Sequence, residues 1–139
     1  MIATIIVLSI LVFVHELGHF LAAKAVGIRV ETFSIGFPPT IFKRRRGDTE
    51  YAIGAIPFGG FVRLSGMIDE SMDASFEGSE PQPWEYRAKP MGQKIFVTIA
   101  GILMNLLLAV LIFSLMSGIQ GIAVTSPESV IETIYENTP

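Results

Sequence analysis

Two histidines and a glutamate stand in the middle of an otherwise apolar stretch, VFVHELGHFLAAK, which runs from Val12 to Lys24. His15 and His19 are the chain's two histidines. On an α-helix they lie one turn apart on the same face, a spacing at which two imidazoles can bind one Zn²⁺. Glu16 lies about 100° round the helix from His15, close enough to reach a metal-bound water without being a ligand. The HExxH pattern therefore predicts zinc-assisted hydrolysis with Glu16 as the general base.

The same residues allow a second interpretation, in which both histidines are core residues satisfied by hydrogen bonds. A membrane setting weakens it, because ionisable groups inside a membrane helix are expensive and usually functional. Gly18, between the histidines, is expected to leave room for a substrate backbone. A catalytic zinc ion usually has three protein ligands. The chain has no cysteine and no third histidine, and its carboxylates are poorly placed, so we expect the third ligand on a helix beyond Pro139.

Two apolar runs predict the helices that position this site. The first surrounds the HELGH block and predicts a transmembrane helix over residues 1–28. A cleaved signal peptide fits less well, because no basic residue precedes the apolar run. The second run, IFVTIAGILMNLLLAVLIFSLM, carries no charge and predicts a transmembrane helix over residues 95–117. All Lys and Arg residues lie from Lys24 to Lys94, so the positive-inside rule places the loop in the cytoplasm and both ends outside.

The loop between the predicted helices has two parts. Residues 29–66 predict strands, because TFSIGF alternates apolar side chains at period two and Gly47-Asp48 can form a hairpin turn. This apolar, glycine-rich region fits either a soluble subdomain with its own core or a hairpin that dips into the membrane. Residues 67–94 are acidic and polar and predict a cytoplasmic linker. Residues 118–139 alternate weakly and predict the truncated start of an extracytoplasmic β-domain.

The chain resembles the site-2 protease family of intramembrane zinc metalloproteases, in its bacterial regulator of sigma-E protease type. The similarity covers essentially the whole chain and is carried by HELGHFLAAKAVGIRVETFSIGF, AIPFGGFVRLSGM, KPMGQKIFVTIAGILMN and SVIETIYENTP. It implies a membrane α-helical fold, with two transmembrane helices joined by a cytoplasmic loop that holds a membrane-reentrant β-hairpin, and then the start of a PDZ-like domain. Two departures from the family are GFPP for GFGP at Gly36–Pro39 and AGI for AGP at Ala100–Ile102.

The resemblance implies that His15 and His19 bind Zn²⁺, that Glu16 is the catalytic base, and that an aspartate of an LDG-type motif on a later helix completes the site. The implied activity is cleavage of a transmembrane segment of a substrate already trimmed outside the inner membrane, releasing a cytoplasmic regulator such as a sigma-factor inhibitor fragment. The implied partners are that membrane-protein substrate and the lipid bilayer, without nucleic acid. The alternative is a non-catalytic metal-binding membrane adaptor or a degenerate homologue.

Substrate contacts are also implied by the resemblance. The hairpin would hold the substrate strand by edge pairing, through Gly59, Gly60 and Phe61. Asn105 in the second helix would bind the unwound substrate or the oxyanion. A plain interhelical hydrogen bond beside Gly101 is the other role expected for Asn105.

Overall fold

The computed structural model describes residues 2–67 and 80–121. Residues 68–79 of the predicted acidic linker and residues 122–139 of the predicted PDZ-like start lie outside the described residues. The described elements, in chain order, are helix α1 at Ile2–Ala25, strand β1 at Val30–Arg46, strand β2 at Thr49–Leu64, a single 3₁₀ turn at Tyr86–Ala88, and helix α2 at Met91–Gln120.

Helices α1 and α2, of 24 and 30 residues, are long and apolar enough to cross a membrane. Large apolar side chains are exposed along both, as they are where lipid surrounds a helix. α2 begins at Met91, before the predicted boundary at residue 95, because the Pro90 carbonyl accepts hydrogen bonds from the backbone N–H groups of Gln93 and Lys94. Hydropathy alone misses this polar first turn. The two helices and the antiparallel sheet fit a membrane protein.

The described residues fall into two compact units. The first extends to Leu108 and holds α1, both strands and the first part of α2. The second begins at Ala109 and includes the last part of α2. Every residue of the candidate site lies in the first unit.

Strands β1 and β2 pair antiparallel around the predicted turn, with Arg46 opposite Thr49 and Gly47 in the left-handed region at φ 62°. Both strands also bend, so that residues 32–35 pair with 60–63 on one side and with 50–53 on the other. In the pairing of residues 32–35 with residues 50–53, the residue numbers increase in the same direction along both segments, so this pairing is parallel. The register gives residues 60–63 a described partner on one side only, and they therefore form an edge.

A buried cluster ties the sheet to both helices where α1 ends. Its members come from α1, its exit loop, both strands and α2, and they are Ala22, Ala23, Ile28, Val30, Leu64, Val97 and Ala100. Val30 and Ala23 are fully buried. This packing fixes the end of α1 against the start of α2, and thereby sets the distance between the two helices near the HExxH residues.

Part of the predicted linker is packed structure. The backbone N–H of Arg29 donates to the Trp84 carbonyl at 2.9 Å, and that of Tyr86 donates to the Ser65 carbonyl at 2.7 Å. Glu85 is buried and accepts a hydrogen bond from Arg87 at 2.5 Å. The Arg87 guanidinium holds the pKa of the Glu85 carboxyl below its usual range. The segment before α2 is therefore a cap on the sheet.

Candidate metal centre

One face of α1 meets the sheet. Phe13, Glu16 and Phe20 lie within a narrow arc of the helix, because residues three, four and seven apart share a face. The Phe33 ring of β1 packs on this face, with its centroid 6.2 Å from that of Phe13 and 5.0 Å from that of Phe20. Further along, the Ser9 hydroxyl lies 2.6 Å from the Pro57 carbonyl oxygen of β2. Glu16 is thereby brought beside the hairpin.

The two histidines lie on the adjacent face of α1, towards α2. Their Nε2 atoms are 3.2 Å apart. The His19 Nδ1 atom is 2.7 Å from the Val97 carbonyl oxygen of α2. Since a carbonyl only accepts, Nδ1 carries the proton, and the lone pair of neutral His19 is on Nε2, facing His15.

This pair fits a zinc ion. Two nitrogens bound tetrahedrally to zinc lie about 3.3 Å apart, close to the separation of the His15 and His19 Nε2 atoms. The Val97 carbonyl accepts a hydrogen bond from the second ring nitrogen of His19, as a carboxylate or carbonyl commonly does for a zinc-binding imidazole. This hydrogen bond fixes the tautomer and the ring orientation. His15 and His19 are therefore the residues that would hold the metal.

Two glycines let α1 and α2 approach at the site. A Cβ on Gly101 would lie 2.6 Å from His15 Cε1 and 2.6 Å from His19 Nε2. A Cβ on Gly18 would lie 2.5 Å from the Ala100 carbonyl oxygen. The space expected to admit a substrate backbone at Gly18 is thus filled by the backbone of α2.

The edge of the sheet reaches Glu16. A Cβ on Gly60 would lie 3.6 Å from Glu16 Cγ and 2.6 Å from the Ser34 carbonyl oxygen. A Cβ at position 60 would press on the β1 backbone and stand in van der Waals contact with the predicted general base. The sequence-predicted residues Glu16 and Gly60, which are distant in the chain, are brought together here.

Three other residues were predicted to contact the substrate, and each has different surroundings. Gly59 packs against the Phe37 ring, with which a Cβ would collide. Packing within the hairpin is therefore sufficient to explain a glycine at position 59. Phe61 is half-buried and pairs with Ser34. Asn105 lies one helical turn beyond Gly101, and its buried Oδ1 atom has no hydrogen-bond partner among the described residues.

The described residues hold no group of three His, Cys, Asp or Glu side chains suited to a metal ion.

Two features of the site were not predicted from the sequence. The glycine at position 101 was visible as a small residue in the second apolar run, which is typical of close helix contacts. The Val97 carbonyl has no sequence signal at all, since every residue carries one.

The HExxH pattern of two histidines and a glutamate on a candidate membrane helix indicates a metalloprotease of the membrane. The chain belongs to Peptidase family M50, whose family model matches residues 3–138.

Proteins that are similar to this chain carry consistent names. It is 48% identical over 112 residues to a "Putative zinc metalloprotease" of Chlamydia pneumoniae, covering 78% of this chain and 18% of that protein. It is 40% identical over 128 residues to a protein of the same description from Nostoc sp., covering 92% and 34%. Metalloprotease MmpA of Caulobacter vibrioides is 37% identical over 128 residues, covering 82% and 32%. The chain therefore spans only about a third or less of the length of these relatives.

Proposed function

We propose that the chain supplies the first part of the active site of a zinc-dependent intramembrane endopeptidase, which hydrolyses a peptide bond in a transmembrane segment of a protein substrate. The observation that carries this proposal is the pair of Nε2 atoms of His15 and His19, which lie 3.2 Å apart. The names of the relatives support zinc as the metal. An aspartate elsewhere in the whole protein is proposed as the third ligand.

The residues of this chain would then have distinct roles. Zinc, when bound, supplies a water of lowered pKa and polarises the scissile carbonyl. The Glu16 carboxylate accepts a proton from the attacking water and passes it to the leaving amine. His19 is held in its metal-binding tautomer by the Val97 carbonyl. The unpaired Asn105 Oδ1 is an acceptor for a backbone N–H of the unwound substrate.

The edge of the sheet at residues 60–63 is the proposed substrate-binding surface. An extended peptide could add to this edge as a further strand, since its backbone groups are paired on one side. Gly60 lies beside Glu16, so such a strand would pass the general base. We further propose that the substrate is trimmed outside an inner membrane before it enters, that cleavage releases a cytoplasmic regulator, and that the loop faces the cytoplasm, as its basic residues favour.

A non-catalytic metal-binding membrane adaptor is the second candidate. It is favoured by one observation, which is that no third metal ligand accompanies His15 and His19 within residues 2–67 and 80–121. An adaptor would bind metal and leave the substrate uncut.

The discriminating experiment is Glu16→Gln in the whole gene product that contains this chain, reconstituted in bilayers with a transmembrane substrate. Cleavage is expected to fall by roughly a hundredfold to ten-thousandfold, because the general base is lost. Zinc content, measured by metal analysis, is expected to stay unchanged, because Glu16 is not a ligand. Glu31→Gln, the same change at an exposed position of β1, serves as the matched control. Full cleavage by the Glu16→Gln protein would refute the assigned base, and zinc binding without cleavage in the wild type would favour the adaptor.

A further inference from the structure

A cleft of about 440 Å³ opens where α1 ends. It is lined by Lys24, Gly27, Ile28, Arg29, Asp48 and Trp84. Its volume is within the range of small-molecule sites. The metal centre does not use any of these residues, so the cleft is a separate feature of the fold.

The cleft is basic. Lys24 and Arg29 line it, and the Lys89 ammonium lies 3.6 Å from where a Cβ on Gly27 would stand. The acid within it is Asp48, which accepts a hydrogen bond from Arg29 at 2.6 Å. Arg29 has five N–H donors and its side chain stays 41% exposed beside Asp48. Glu31 is a second acid near Arg29, and three cations against these two carboxylates leave a positive cleft with free donors.

The position of the cleft matches the headgroup layer of a membrane. α1 is a candidate membrane-spanning helix, and Lys24 is in its last turn. Trp84 is 44% exposed, and the Arg29 guanidinium lies 5.8 Å from its ring centroid. Tryptophan and basic side chains at the end of a membrane helix are typical of the level where phosphates meet water.

We propose that this cleft binds the phosphate of an anionic phospholipid. Phosphate oxygens accept hydrogen bonds from guanidinium and ammonium groups, and basic pockets beside membrane helices bind anionic headgroups. A free phosphate offers the same chemistry, but the position at the end of α1 favours a lipid, whose acyl chains can extend along the helix. The bound lipid fixes the height at which α1 leaves the membrane.

Trp84 makes the cleft directly observable, because it is the chain's single tryptophan. The protein is reconstituted in phosphatidylcholine bilayers in which a minor fraction of lipid carries brominated acyl chains, either phosphatidylglycerol or phosphatidylcholine. Bromine quenches tryptophan fluorescence at short range. Brominated phosphatidylglycerol is expected to quench Trp84 at a lower mole fraction than brominated phosphatidylcholine.

Matched variants separate the cleft from general surface charge. Lys24→Gln with Lys89→Gln removes two cations beside the cleft and is expected to lower the preference for phosphatidylglycerol roughly thirtyfold. Lys43→Gln with Arg44→Gln removes the same charge from exposed positions of β1 and is expected to keep the preference. Asp48→Asn removes the competing carboxylate and is expected to increase it.

Two outcomes would contradict the proposal. Equal quenching of the wild type by the two brominated lipids would overturn the proposal, and so would equal losses in the Lys24/Lys89 and Lys43/Arg44 proteins. Inorganic phosphate added to the same bilayers is expected to leave the quenching unchanged. Its displacement of the lipid signal at millimolar concentration would show instead that the cleft takes free phosphate.

Discussion

The two imidazoles of the candidate metal centre face α2 across a gap that a glycine leaves open. A Cβ at position 101 would lie 2.6 Å from His19 Nε2 and 2.7 Å from His15 Nε2, which is the space a metal ion needs. Gly101→Ala is therefore expected to weaken zinc binding by roughly 10- to 100-fold. Competition with a chelator, followed by metal analysis of the whole gene product in detergent, measures the change.

The control for this change is Gly92→Ala in the same helix. A Cβ there meets nothing within 4 Å, so zinc affinity is expected to match the wild type. Both variants gain helix propensity, so any difference between them comes from the site and not from the helix. Unchanged zinc affinity in Gly101→Ala would mean that the metal does not lie between His15 and His19.

The candidate zinc-binding pair and the predicted base follow from spacing alone, since HExxH puts both histidines on one face of a helix. Their surroundings could not. The Val97 carbonyl that orients His19 and the Gly60 backbone that approaches Glu16 come from segments distant in the chain. Such contacts depend on how elements pack, which no local pattern records.

At the scale of elements, an aromatic cluster attaches the sheet to α1. Phe33 of β1 contacts the rings of Phe13 and Phe20 in α1 and that of Tyr51 in β2. Phe33→Ala is expected to destabilise the attachment of the hairpin by about 2 kcal/mol. This is less than a similar truncation in an aqueous core, as expected if lipid rather than water meets the opened surface. Hydrogen exchange of the β1 and β2 amides measures the loss.

Phe42→Ala is the matched control on the same strand. Phe42 is 55% exposed, so its truncation is expected to change exchange protection by less than about 0.5 kcal/mol. Equal protection losses in the two variants would show that the cluster does not hold the hairpin on α1.

The elements themselves were largely predictable. The turn at Gly47-Asp48 followed from its residue types, and each helix followed from its apolar run, although α2 starts earlier because a polar turn is capped by Pro90. The double pairing of residues 32–35 was not predictable. Strand alternation fixes which face a side chain takes, but it does not say which segments become neighbours.

At the scale of the whole first unit, the hairpin runs alongside α1. Asp48 at its turn pairs with Arg29, just beyond the end of α1, whereas Pro57 at its opposite end contacts Ser9. Ser9 lies about 24 Å along the helix from Ala25, at about 1.5 Å per residue. A hairpin of this reach, beside a candidate membrane-spanning helix, favours the reentrant alternative over a soluble subdomain.

This geometry predicts a gradient of water access along the hairpin. The chain has no cysteine, so a single substitution creates a unique thiol for labelling. Phe58→Cys, next to Pro57 at the deep end, is expected to resist a membrane-impermeant maleimide in sealed vesicles, because hydrocarbon surrounds it. Arg45→Cys, beside the turn, is expected to react fast when the reagent is on the side of the loop. Both are expected to react after detergent and denaturant open the structure, which shows that each thiol is intact. Fast labelling of Phe58→Cys in intact vesicles would mean that the whole hairpin lies in water, and the proposed strand addition beside Glu16 would then have to occur outside the bilayer.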